Sequence, residues 1–224
     1  MTSRRVTETR RRIMLVDDHP LTRHGMAQLI GQQRDLVVCG EAGNAEQALE
    51  RVRALRPDLV LVDVTLPGKP GLEFIKDLAT LYPEVLVLVV SMHDESLYAE
   101  RALRAGARGY LMKSAGGEDL VEAIRHVFTG QVYLSQHLSA QILNSLSGSR
   151  RGTPGILNVL SDREFEVFQL IGEGLTTNEI GSRLHISGKT VETHRLHIRD
   201  KLGLKTPPEL TKYAVRWAGT QELI

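Results

Sequence analysis

The chain has 224 residues, 42% of them hydrophobic and 25% charged, and a formal net charge of +1. These are the proportions of a soluble globular protein with room for one large domain or two ordinary ones, and no apolar run approaches membrane-spanning length. The lone cysteine, Cys39, excludes an internal disulfide and a cysteine metal cage, and reads as a small core residue. Residues 1–12 carry Arg4, Arg5, Arg10, Arg11 and Arg12 without an apolar stretch. That excludes a secretory signal; the segment reads as a basic tail, and a cytoplasmic protein is expected.

From Ile13 a strand-then-helix pattern repeats five times. The predicted strands are 13–16, 36–40, 59–62, 85–90 and 109–112. Helices are predicted near 21–31, from the capping pair Asn44 and Gln47 to Arg56, over 72–81, over 96–105 before Gly106, and over 118–128 before Gly130. Short apolar runs alternating with helices imply an α/β fold, a five-stranded doubly wound parallel sheet over 13–130. This segment holds 12 Lys+Arg and 17 Asp+Glu, a net of −5.

In such sheets ligands bind outside the carboxyl ends of the strands. The first strand ends in Asp17-Asp18, and the third in Asp63 before the turn Leu66-Pro67-Gly68. The fourth ends in Ser91 and the fifth in Lys113. Three carboxylates in one crevice repel unless a cation compensates. Mg²⁺ suits them, since it takes one or two protein carboxylates and adds phosphate oxygens. A carboxylate beside that ion can attack phosphorus and form an aspartyl-phosphate, whose extra charge Lys113 would offset. His93, close to Ser91, either meets this pocket or is a solvated loop residue.

The stretches Val16-Asp17-Asp18-His19-Pro20, Asp63-Val64-Thr65-Leu66-Pro67-Gly68, Ser91 and Gly109-Tyr110-Leu111-Met112-Lys113 resemble the receiver domain of bacterial two-component response regulators. The resemblance implies that Asp63 is the phosphoacceptor and a histidine kinase the donor. It implies that Asp18, Asp63 and the Thr65 carbonyl hold Mg²⁺, with Asp17 helping through water. Ser91 is then the switch hydroxyl and Tyr110 the switch aromatic, although Tyr110 also fits a plain half-buried strand residue. Ser114 departs from the family pattern, which has proline after the lysine.

Residues 131–156 change character. A helix is predicted over 135–146, and 147–155 is polar, basic and turn-rich, which reads as a linker. The domain after it, 157–224, is predicted all-helical. Ser161 to Glu164 form a capping box, Thr176 pairs with Glu179, Ser187 caps a helix from Gly188 to Leu202, and Thr206-Pro207-Pro208-Glu209 opens a fourth. The second and third helices are separated only by His185 and Ile186, the turn of a helix-turn-helix.

From Gly155 onward the basic and acidic residues number nine each, so charge does not announce DNA binding and pattern must. Val191, Ile198 and Leu202 should face the bundle. The opposite face offers Lys189, Thr190, Glu192, Thr193, Arg195, Leu196 and Arg199. Such a helix enters the major groove. Ser187, Lys189 and Arg195 are expected on phosphate, and Thr193 and Leu196 on a base edge or thymine methyl. Glu192 either accepts from cytosine or lies on a solvated face, and Arg199 either contacts DNA or lies on that face. Thr176, Thr177 and Asn178 are candidates for phosphate, and His194 for phosphate or core.

The stretches Leu160 to Glu164, Ile171 to Ile180, Leu184 to His194 and Lys201 to Leu204 resemble the LuxR-type helix-turn-helix. Joined to a receiver, it is the arrangement of the NarL/FixJ class of transcription factors. That implies phosphorylation-controlled binding to promoter DNA, as a homodimer. The rival is an aspartyl-phosphate phosphatase of the haloacid dehalogenase type, which usually carries a second carboxylate two residues after its nucleophile; here Thr65 stands there. A receiver that works without phosphorylation is a further alternative.

Overall fold

The computed structural model describes residues 10–136, 138–140 and 159–221. The chain divides into two compact units, 1–143 and 144–224. The proposed linker 147–155, and the predicted helix 135–146 beyond residue 140, lie outside the described residues.

The first unit alternates β1 (Arg11–Val16), α1 (Pro20–Gly31), β2 (Leu36–Ala42), α2 (Ala45–Leu55) and β3 (Leu59–Val62), then α3 (Gly71–Leu81), β4 (Leu86–Ser91), α4 (Glu95–Ala105), β5 (Tyr110–Met112) and α5 (Gly117–Phe128). The sheet order is β2-β1-β3-β4-β5 and every pairing is parallel. That is the predicted doubly wound sheet. β1 and β3 are neighbours in register from Ile13↔Leu59 to Val16↔Val62, so Asp17 and Asp63 follow side by side. Ile13, Met14, Leu15 and Val16, like Leu59 to Val62, are buried on both faces, as helices on both sides require.

Element ends shift by a residue or two, and two readings are corrected. Arg11 and Arg12 belong to β1 rather than to a tail, pairing with Leu36 and Val37. The Arg12 amide donates to Asp58 Oδ2 at 2.7 Å, and its guanidinium to the Leu55 carbonyl. Cys39 is half-buried, not core, because β2 is the sheet edge.

The second unit holds α6 (Asp162–Gly172), α7 (Thr177–Leu184), α8 (Gly188–Leu202) and α9 (Pro207–Gln221). The capping boxes at Ser161/Glu164 and Thr176/Glu179 form as predicted, and Ser187 Oγ accepts from the Thr190 amide. The α7–α8 turn passes through His185 in the left-handed conformation (φ 53°). Gly181 lets that turn close: a Cβ there would stand 2.8 Å from the Ile186 carbonyl oxygen. Val191 and Ile198 are fully buried, as are Phe165 and Phe168, which pack near Trp217. Among the described residues no helix is long and apolar enough to cross a membrane.

Candidate functional site

The strand ends of the first unit converge on Lys113. Its Nζ lies 2.6 Å from Asp63 Oδ2 and 2.7 Å from Asp17 Oδ2. All three side chains are nearly buried, with Lys113 6% exposed. Burial alone would lower the Lys113 pKa, but Asp63 and Asp17 outweigh it and hold the ammonium above its ordinary value. Asp18 stands beside them, partly exposed. His19, at the start of α1, faces both first-strand carboxylates, with Nδ1 2.8 Å from Asp18 Oδ1 and 3.3 Å from Asp17 Oδ1.

One oxygen or nitrogen from each of Asp17, Asp18, His19 and Asp63 falls within 4.8 Å of the others. Asp17 Oδ2 and Asp18 Oδ1 are buried and accept no well-directed hydrogen bond; the first meets only the Lys113 ammonium and the second only the His19 ring. Buried oxygens left this way fit a hard cation. The backbone holds the loop tightly. The Gly71 amide donates to the Val64 carbonyl at 2.8 Å, and a Cβ on Gly71 would stand 2.2 Å from the Asp63 carbonyl oxygen.

Ser91 is fully buried at the end of β4, and its Oγ accepts from the His93 amide at 3.4 Å. Tyr110 is fully buried rather than half-buried, and its hydroxyl donates to the His93 carbonyl at 2.9 Å. Burial, above all, pushes the phenol's pKa up. His93 joins the pocket: Nε2 lies 2.7 Å from Thr65 Oγ1, and the ring rests on Tyr98 with centroids 4.7 Å apart.

On α8, Lys189, Thr190, Glu192, Thr193 and Leu196 are exposed, and Arg199 is half-exposed. Several are already engaged. Thr177 Oγ1 donates to Glu192 Oε1 at 2.6 Å, and Thr193 Oγ1 to the Lys189 carbonyl at 3.1 Å. Thr176 is bound up in its cap with Glu179, while Asn178 is exposed. Arg195 is only 17% exposed, 3.8 Å from Glu192, and with Leu196, Arg199, Pro207 and Leu210 it lines a cleft between α8 and α9. His194 is half-buried. Burial first, then Arg163, lowers its pKa.

Residues 13–125 match the response regulator receiver domain, and 158–214 match the bacterial regulatory proteins of the luxR family. The oxygen regulatory protein NreC of Staphylococcus aureus is 37% identical over 210 residues, which cover 92% of this chain and 97% of NreC. The chain is a LuxR-family response regulator. Among solved structures, a LuxR-family two-component response regulator from Aurantimonas sp. SI85-9A1 is 35% identical with a TM-score of 0.58, covering 62% of this chain and 99% of its own. The Salmonella typhimurium response regulator RcsB shares the fold, with a TM-score of 0.65 at 22% identity over 93% of this chain and 98% of its own.

As a response regulator the protein is a phosphorylation-dependent, DNA-binding regulator of transcription. The phosphatase alternative falls with that membership. Sequence reasoning assigned this response regulator no role for two residues that the pocket gathers. His19 was hidden inside a motif read for its carboxylates. Arg23, on α1, donates to the Asp17 carbonyl at 2.5 Å and pairs with Glu41 at 3.2 Å. The only signal for Arg23 was its place one helical turn after His19, on the helix face toward β1 and β2.

Proposed function

We propose that Asp63 accepts a phosphoryl group from a histidine kinase and that this event controls binding of α8 to promoter DNA. The observation that carries the reading is the Asp63–Lys113–Asp17 contact at the ends of three strands. Asp18, Asp63 and the Thr65 carbonyl would hold Mg²⁺, with Asp17 helping through water; the ion would neutralise the carboxylates and the incoming phosphoryl oxygens. Lys113 is a resident countercharge for the added negative charge. Ser91, two residues before His93, offers its hydroxyl to a phosphoryl oxygen, and Tyr110 reads the movement of that loop.

In the second unit, α8 enters the major groove. Ser187, Lys189 and Arg195 contact phosphate; Leu196 and the Thr193 methyl, whose hydroxyl is spent on the helix, approach bases. Thr177, Asn178 and Thr190 flank this surface. A homodimer would place two such helices on half-sites one turn of DNA apart. Asp63→Ala tests the reading: Mg²⁺-dependent labelling by a small phosphoryl donor should disappear. Undiminished labelling of the purified variant puts the phosphoacceptor elsewhere.

A further inference from the structure

The chain beyond α5 returns to the receiver. Tyr133 bridges Gly109 at the free edge of β5. The Tyr110 amide donates to the Tyr133 carbonyl and the Tyr133 amide to the Arg108 carbonyl, both at 3.0 Å. Gly109 makes room, since a Cβ there would stand 2.8 Å from the Tyr133 carbonyl oxygen. Two residues on, Ser135 Oγ donates to Glu95 Oε1 and accepts from the Leu138 amide at 3.1 Å. Leu138 is buried. The segment 131–140 is therefore pinned at two points, one on β5 beside Tyr110 and one on the first residue of α4.

Glu95 follows the loop that the pocket holds. His93 touches Thr65 by its ring, Ser91 Oγ by its amide and the Tyr110 hydroxyl by its carbonyl. Asp94 caps α4 by accepting from the Ser96 amide at 2.8 Å. A loop fixed at 93 and 94 thus sets where Glu95 stands. If the Ser91 hydroxyl turns to a phosphoryl oxygen, it leaves the His93 amide, and the start of α4 is freed to shift.

We infer that Glu95 and Ser135 are positioning residues that couple the β4–α4 loop to the segment leading toward the DNA-binding unit. Phosphorylation then loosens the Ser135–Glu95 contact. The direction of this step rests on the phosphoacceptor reading above; the coupling itself does not. Linkage makes it reciprocal: what loosens 131–140 must also loosen 91–97.

Amide exchange on the full chain tests this, with and without acetyl phosphate and Mg²⁺, while intact mass reports phosphorylation. Without donor, Glu95→Ala should speed exchange over 131–140, and Ser135→Ala over 91–97, each about fivefold, the effect of one net hydrogen bond. Glu95→Ala leaves the Ser135 cap on Leu138 in place, so lost capping cannot produce its effect. The double variant should add nothing further, and Glu95→Gln, whose amide oxygen still accepts, should behave as wild type. With donor, wild type should show faster exchange over 131–140 and Ser135→Ala no additional change. Effects confined to each variant's own segment overturn the coupling whether or not the mass shows phosphorylation. Phosphorylated wild type with unchanged exchange over 131–140 overturns the loosening.

Discussion

The two units carry their chemistry in opposite ways. In the receiver, Asp17, Asp63, Ser91 and Lys113 are buried, and the sheet leaves each side chain one place to be. On α8 most of the residues proposed to meet DNA are exposed, Arg195 being the chief exception, and local partners such as Thr177 and Lys189 hold their side chains. A buried polar group costs free energy unless it is paired, so the sheet enforces the site. An exposed one costs little either way, so the proposed recognition face is shaped by weak contacts and would be completed by DNA.

The largest test of that contrast is Lys113→Ala. It leaves Asp17 and Asp63 facing each other without their cation, and receiver stability should fall by about 3 kcal/mol, as for one partner of a buried ion pair. Added Mg²⁺ should restore much of it in thermal unfolding. An unchanged melting temperature without Mg²⁺ would mean that the pocket is less enforced than its burial implies. Gly71→Ala comes next. Its Cβ would meet backbone at 2.2 Å, which no rotamer relieves, so a loss of about 1–3 kcal/mol is expected. Chemical denaturation measures it, and a neutral result would show that the loop after Asp63 gives way.

Effects of the α8 residues proposed to meet DNA should be smaller and read in binding rather than in folding. Arg195→Ala should weaken specific and scrambled DNA alike and reduce the salt slope by about one. Thr193→Ala should leave the slope alone and shift preference at one operator position by roughly 1 kcal/mol. Titrations at several salt concentrations separate the two; a change of preference with Arg195→Ala would move that side chain onto bases. The smallest expected effect is at His194. Its folded pKa is lowered, so below the ordinary value of 6.5 the unfolded chain takes up more protons. The second unit should therefore lose stability as pH falls through that value. His194→Gln should flatten the slope, read from the single tryptophan, Trp217, which packs on Phe165. An equal slope in both proteins would assign it to another group.

The same contrast explains what the sequence made legible. The buried runs Ile13 to Val16 and Leu59 to Val62 announced their strands, and the acids that follow them announced the pocket. Capping residues announced all four of the second unit's described helices, because a cap is written in adjacent residues. Other features left no periodic trace. Arg11 and Arg12 look like a tail because charged residues at a strand's start break the apolar run. The bridge at Tyr133 is one residue long. The Thr65–His93 contact joins two loops whose approach only the folded sheet defines, and the burial of Arg195 depends on α9 crossing near it.

The strand order has a consequence for synthesis. The pocket needs Asp17 from the first strand and Lys113 from the last, and β5 is the last strand to leave the ribosome. Once Lys113 has emerged, the receiver has every side chain of its pocket, while α8 begins only at Gly188. At ordinary translation rates that interval is on the order of ten seconds, long enough for a small domain to fold. Each new copy of the protein therefore acquires the part that takes instruction before the part that acts on it.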